Sequence, residues 1–224
     1  MDVTNKRKLV YILIAFAVFA ALATYVFRDQ LSPSATPQVS PEAQAQIDTQ
    51  SSTYKQYAAM TGEEYDRNFI ANMIVHHQGA VDMAKMALTN AKHVELKEMA
   101  KEIIAAQESE ISQMESWQKE WGYTSTSVDS SMDHGSMGTM DHSSMGMADD
   151  MSGMMSELED KIGDDFDKTF IEQMIMHHQS ALDMAAPGAK NAHHQELKDL
   201  TKAVVSAQTQ EIQQMKQWQI DWGY

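Results

Sequence analysis

Cysteine is absent from all 224 residues. Without it there is no disulfide staple and no thiolate to hold structural zinc, an iron–sulfur cluster or covalently attached haem. A bacterial lipoprotein is excluded as well, because no cysteine can carry the lipid. Any site for a soft metal must use methionine sulfur and histidine nitrogen, ligands that survive an oxidising compartment better than free thiols. Proline is scarce, with four residues, three of them at Pro33, Pro37 and Pro41. Positive charge is short too: 17 Lys and Arg stand against 32 Asp and Glu, a net of -15. Beyond residue 28 the net is -18, because Lys6, Arg7, Lys8, Arg28 and Asp2 drop out. Such a surface repels phosphates and attracts cations diffusely, which excludes a nucleic-acid partner. No alternating strand pattern of useful length occurs.

What is present begins with a basic flank, Lys6-Arg7-Lys8, before an uncharged apolar run from Leu9 to Phe27. Nineteen such residues span a bilayer, and the flank places the N-terminus in the cytoplasm. A cleaved signal peptide is the competing reading, since Ala21-Leu22-Ala23 fits a small-x-small cleavage pattern. The run continues through Tyr25-Val26-Phe27, which favours an uncleaved anchor. Both readings put the remainder outside the cytoplasm, on the inner membrane's outer face if the anchor stays. The expected organisation is an anchor over 1–28, a tether over 29–60 with helix near its end, a hairpin over 61–123, a linker over 124–160 and a second hairpin over 161–224.

The chain contains a duplication. His76-His77-Gln78-Gly79-Ala80-Val81-Asp82-Met83-Ala84 recurs as His177-His178-Gln179-Ser180-Ala181-Leu182-Asp183-Met184-Ala185, an offset of 101 residues that also aligns Met73 with Met174, Gln107 with Gln208, Met114 with Met215 and Trp121-Gly122-Tyr123 with Trp222-Gly223-Tyr224. Phe69, Met73, His76, Ala80, Met83 and Ala87 lie on one helical face. Thr61, with Glu64 three residues on, predicts a capping box at the start of that helix. Leu96, Met99, Ile103, Gln107, Ile111, Met114, Trp117 and Trp121 form the stripe of a second helix, ended by Gly122. In copy two, helices are expected from about Asp165 and from about His194, with Pro187-Gly188 ending or kinking the first. A lone hairpin cannot bury both faces, so the expected fold is all-α: two repeated hairpins stacked as an antiparallel four-helix bundle.

Histidine and methionine carry the chemistry. Adjacent His76 and His77 project about 100° apart on a helix, so at least one faces the bundle, and a buried imidazole needs a partner. Met73 lies at chelating spacing from both, Ala80 leaves room, Met83 follows two turns after His76, and Met114 can close a site from the second helix. Met174, His177, His178, Met184 and Met215 repeat the set. Taken singly, each methionine also reads as core filling. Asp82 and Asp183, with Gln78 and Gln179, read as a solvated face or as partners orienting a ligand histidine. The Trp and Tyr ends read as core and capping, and His93, His193 and His194 as exposed turn residues.

Between the copies lies a tandem octapeptide, with Met132, His134 and Met137 in the first unit and Met140, His142, Met145 and Met147 in the second, continued by Met151, Met154 and Met155. Gly, Ser and Asp keep such a segment from packing a core, so it is expected to be mobile without a ligand. A plain spacer has no use for so much methionine. Thioether sulfur suits Cu(I) or Ag(I), whereas imidazole and carboxylate suit Cu(II). Copper is therefore the expected metal, Cu(I) foremost.

The His-His-x-x-Ala-x-x-Met-Ala helix, followed by a helix ending Glu-Ile-x-Gln-Met-x-x-Trp, resembles the DUF305 family over residues 66–123 and 167–224. That resemblance implies an exported helical bundle, with copper binding and copper tolerance known for some members. It implies His76, His77, Met83 and Met114, with their copy-two counterparts, as ligand positions. The linker resembles Met-Asp-His-x-x-Met tracts of periplasmic copper- and silver-resistance proteins. Copy two departs where Lys85-Met86-Ala87 becomes Ala186-Pro187-Gly188, which predicts a looser or differently loaded site. The expected function is sequestration of Cu(I), or its delivery to an exporter or chaperone, without catalysis. A b-type haem or other redox bundle and a non-metal helical interaction module are the alternatives. A di-iron enzyme would need Glu-x-x-His on its core helices, and the chain has none.

Overall fold

The computed structural model describes residues 47–123 and 151–224. Among these the regular elements are helices: α1 (Ser52–Ala59), α2 (Glu63–Asn90), α3 (Val94–Glu120), α4 (Gly163–Ala185), α5 (Gly188–Asn191) and α6 (Gln195–Trp222). The expected anchor and the octapeptide repeats lie outside the described residues, and among those described no helix is long and apolar enough to cross a membrane.

The four long helices form a helical bundle in which α2 packs on α3, α4 on α6, and α2 on α4. The α2–α4 pairing is antiparallel: Gly62 at the start of α2 bridges Ala192, the C-cap of the α5 turn that follows α4, and Ala91 at the end of α2 bridges Gly163 at the start of α4. Gly62 and Gly163 adopt φ of 63° and 67°, a left-handed backbone that glycine enters at little steric cost. This strap displaces the expected capping box. Gly62 is the N-cap of α2 without a side-chain cap, its N–H donates to Asn191 O at 2.8 Å, and Thr61 and Glu64 do not cap. Glu63, Glu64 and Asp66 in the first turn complement the helix dipole instead.

Two buried carboxylates tie the copies together. Asp66 accepts from the backbone N–H groups of His193 and His194 at 2.8 and 3.1 Å, and pairs with His194 Nδ1 at 2.7 Å. Asp167 does the same for Lys92 N, His93 N and His93 Nδ1 at 2.9, 2.9 and 2.6 Å. Each carboxylate thus has three donors, which removes the penalty of burying it. His194 stacks on Trp121 at 3.7 Å and His93 on Trp222 at 3.8 Å. These two histidines are part of the architecture and half-buried, whereas His193 is exposed as expected.

At Pro187 the helix path breaks after Ala185 and resumes as α5. Met184 O receives the Tyr65 hydroxyl at 2.8 Å. A Cβ on Gly188 would stand 2.5 Å from both Thr201 Cγ2 and the Tyr65 hydroxyl, so only glycine fits that crossing. Met184, just before the break, is fully buried.

Residues 151–158 are helical, although the sequence predicts a mobile linker there. Met154, Met155 and Leu158 make an apolar edge: the two methionines pack on the core and Leu158 is fully buried. That burial offsets the ordering cost which Gly and Ser would otherwise impose.

Candidate metal centre

Two apolar clusters fill the bundle. One takes Tyr65, Phe69, Ile70 and Met73 from α2 and Ala181, Leu182 and Met184 from α4; the other takes Ala80, Met83, Ala84 and Ala87 from α2 and Phe166, Phe170, Ile171 and Met174 from α4. Along both helices the gap between the clusters falls at the histidine pairs. His76, His77, His177 and His178 are all 0% exposed, so the duplicated pairs form a polar waist between two oily layers.

The rings of His76 and His177 lie with centroids 3.6 Å apart and planes tilted by 36°. His177 Nε2 lies 2.9 Å from His76 O. A carbonyl only accepts, so Nε2 carries the proton and Nδ1 of the neutral ring keeps its lone pair. His77 Nε2 pairs with Glu110 Oε2 at 2.7 Å, and His178 Nε2 with Glu211 Oε2 at 2.6 Å. A carboxylate only accepts, so Nε2 is the donor in both rings. Nδ1 of His77, His177 and His178, and both nitrogens of His76, are buried without a hydrogen-bond partner. Burial pushes His76 and His177 well below the usual imidazole range, and the neighbouring imidazoles add to it. Both rings are therefore neutral near neutral pH.

Unmatched buried nitrogens each cost about 1–3 kcal/mol, so a cluster of them calls for an explanation. Buried Nδ1 atoms, with Nε2–H held by a carboxylate or carbonyl on the other side of the ring, are arranged as in metal-binding imidazoles. The buried methionines are not grouped hairpin by hairpin. Met73 and Met114 share their cluster with Met184, and Met174 and Met215 share theirs with Met83. The cause is the antiparallel α2–α4 pairing: Met73 and Met83 are about 15 Å apart along α2, too far to serve one ion. Among the described residues no group of three or more His, Asp and Glu side chains is placed to hold a metal.

Asp82 and Asp183 do not orient the histidines. Asp82 accepts from Gln78, and Asp183 from Gln179 and the Asp48 backbone. That work falls to Glu110 and Glu211, which sequence reasoning passed over although both recur at the common offset, one turn before Met114 and Met215. Gln107 and Gln208, a turn earlier still, bury side-chain oxygens without partners. Met151, Met154 and Met155 lie on the outside of the bundle in partly buried positions. Met132, His134, Met137, Met140, His142, Met145 and Met147 lie outside the described residues.

A family model described as a domain of unknown function, DUF305, matches residues 66–219. The chain is similar to CopM solved in a Cu(I)-bound form, at 36% identity over 70% of this chain and 96% of that one, with a TM-score of 0.54. For the Cu(II)-bound form of CopM the identity is 37%, the coverages 73% and 99%, and the TM-score 0.57. A DUF305 protein from Streptomyces coelicolor shares the fold at 23% identity, coverages of 71% and 94%, and a TM-score of 0.58. No curated protein matches the chain.

Proposed function

The chain belongs to the DUF305 family, and from that premise we propose that it is a copper-binding protein of the cell envelope. It sequesters or shuttles Cu(I), and takes Cu(II) or Ag(I) as further cargo, in metal tolerance or homeostasis. A metal-binding role at the family level is supported by the likeness to CopM, which has been solved bound to Cu(I), Cu(II) and Ag. The observation that carries the reading within this chain is the buried histidine waist with its unmatched nitrogens. Imidazole and thioether together are the donor set that Cu(I) prefers, and imidazole also serves Cu(II). The role is binding, not catalysis. The apolar run 9–27 would hold the bundle at the outer face of the inner membrane, where an exporter or a chaperone would receive the ion. A b-type haem held by one methionine and one histidine is less well supported, since it leaves the methionine-rich octapeptides unexplained.

The test is a Cu(I) titration of the full-length chain against a strong competing chelator. Wild type is compared with a deletion of 132–147 and with the double variant His76→Leu/His177→Leu. The two variants are expected to lose different subsets of the bound ions. Equal stoichiometry in all three overturns the site assignment. Binding no better than background in wild type overturns the function.

A further inference from the structure

On the outer side of α2 an open groove of about 760 Å³ is bounded by α2, α3 and helical residues 151–158. Met86, Met151 and Met155 line it, together with the carboxylates Asp82, Glu115 and Glu159. All three methionines are only partly buried, and Met86 and Met155 also pack on the core. Thioethers beside carboxylates combine soft donors with a negative potential.

Two features separate this groove from the histidine waist. First, it is built on a close approach: a Cβ at position 79 would meet Met151 Sδ at 2.4 Å, so the methionine lies against the bare backbone of Gly79. Second, its lining is not repeated. Copy two has Ser180 where copy one has Gly79, and Pro187 where copy one has Met86. The duplication therefore repeats the histidines but not this methionine lining, which sits on the α2 turns that flank His76 and His77. Its third wall is the C-terminal end of the methionine-rich stretch.

We propose that this groove is a separate binding site for a soft monovalent cation, Ag(I) or Cu(I), held by the thioethers of Met86, Met151 and Met155 within the field of Asp82, Glu115 and Glu159. The proposal deepens the reading of the chain as a soft-metal binder, but it does not depend on the buried histidines taking a metal. The unrepeated lining makes the loaded protein asymmetric, with one outer ion on hairpin one and none on hairpin two.

The experiment is an Ag(I) titration of full-length protein carrying 13C-labelled methionine methyl groups. The Met86, Met151 and Met155 methyl resonances are expected to shift together. Met86→Leu/Met151→Leu/Met155→Leu, which keeps the apolar bulk, is expected to bind one ion fewer. Gly79→Ser installs the copy-two residue and pushes a flexible side chain aside, and it is expected to weaken that ion at least tenfold while the fold stays intact. His76→Leu/His177→Leu is expected to leave the three methyl shifts unchanged. This holds even if the histidine waist proves to bind nothing, so the two readings can fail independently. The proposal is overturned if the three methyls stay still when the protein is saturated with Ag(I). It is also overturned if the triple Leu variant binds as many ions as wild type, or if the His variant abolishes the methyl shifts.

Discussion

Removal of the carboxylate behind His77 is the most direct test of how the histidine waist works. Glu110 is 22% exposed and His77 is buried, so their 2.7 Å contact is largely shielded from solvent. Glu110→Ala strips the acceptor from a buried Nε2–H, frees the tautomer and lets the ring turn. Loss of such an outer partner lowers metal affinity by about 10–100-fold, which corresponds to about 1.4–2.8 kcal/mol. Glu110→Gln keeps an oxygen acceptor in place and loses less. Glu211→Ala acts at least as strongly, since Glu211 is 12% exposed and its contact with His178 is 2.6 Å. The assay is competition for Cu(I) with a chelator of known affinity, run alongside circular dichroism to confirm folding. A double-mutant cycle isolates the coupling: in a His77→Ala background, Glu110→Ala should add almost nothing. A folded Glu110→Ala protein that binds Cu(I) within about threefold of wild type would refute the reasoning, as would an equal loss in the His77→Ala background.

Three further outcomes follow from the same structure. His76→Leu/His177→Leu removes unmatched buried nitrogens and should stabilise the metal-free protein by about 1–3 kcal/mol in urea unfolding while lowering the number of ions bound; destabilisation would mean that the imidazoles are paired in solution. Gly188→Ala places a Cβ 2.5 Å from the Tyr65 hydroxyl and Thr201 Cγ2 and should cost about 1–3 kcal/mol by thermal or urea melting, whereas Gly153→Ala, in a helix with open space around it, should stabilise by about 0.5–1 kcal/mol. Burial pushes the Tyr57 hydroxyl up to about 12; because its folded value lies above the unfolded one, its contribution is complete below about pH 10 and is lost as pH rises towards about 12, at close to 1.4 kcal/mol per pH unit. Tyr57→Phe should flatten that part of the stability profile, and an unchanged alkaline slope would count against the assignment.

The sequence by itself determined the repeat, the helical faces, the class of donor atom and the absence of thiolate, because each is a local property: helix periodicity says which side chains share a face, and composition says which ligands exist. Glu110 and Glu211 were visible as recurring residues, but nothing local distinguished them from Asp82 and Asp183, which recur just as faithfully. Tertiary structure made that choice, since the carboxylate that reaches a ring on α2 must come from the helix packed against it. Tertiary structure also decided that Met73 shares a cluster with Met184 and Met83 with Met174. It decided too that Asp66 and Asp167 cross between the copies to hold the opposite turns. The periodicity of one helix carries no information about the direction or register of the helix facing it. Here the Gly62–Ala192 and Ala91–Gly163 straps set the direction, and the 3.6 Å approach of the His76 and His177 rings marks the register that brings both histidine pairs into one waist.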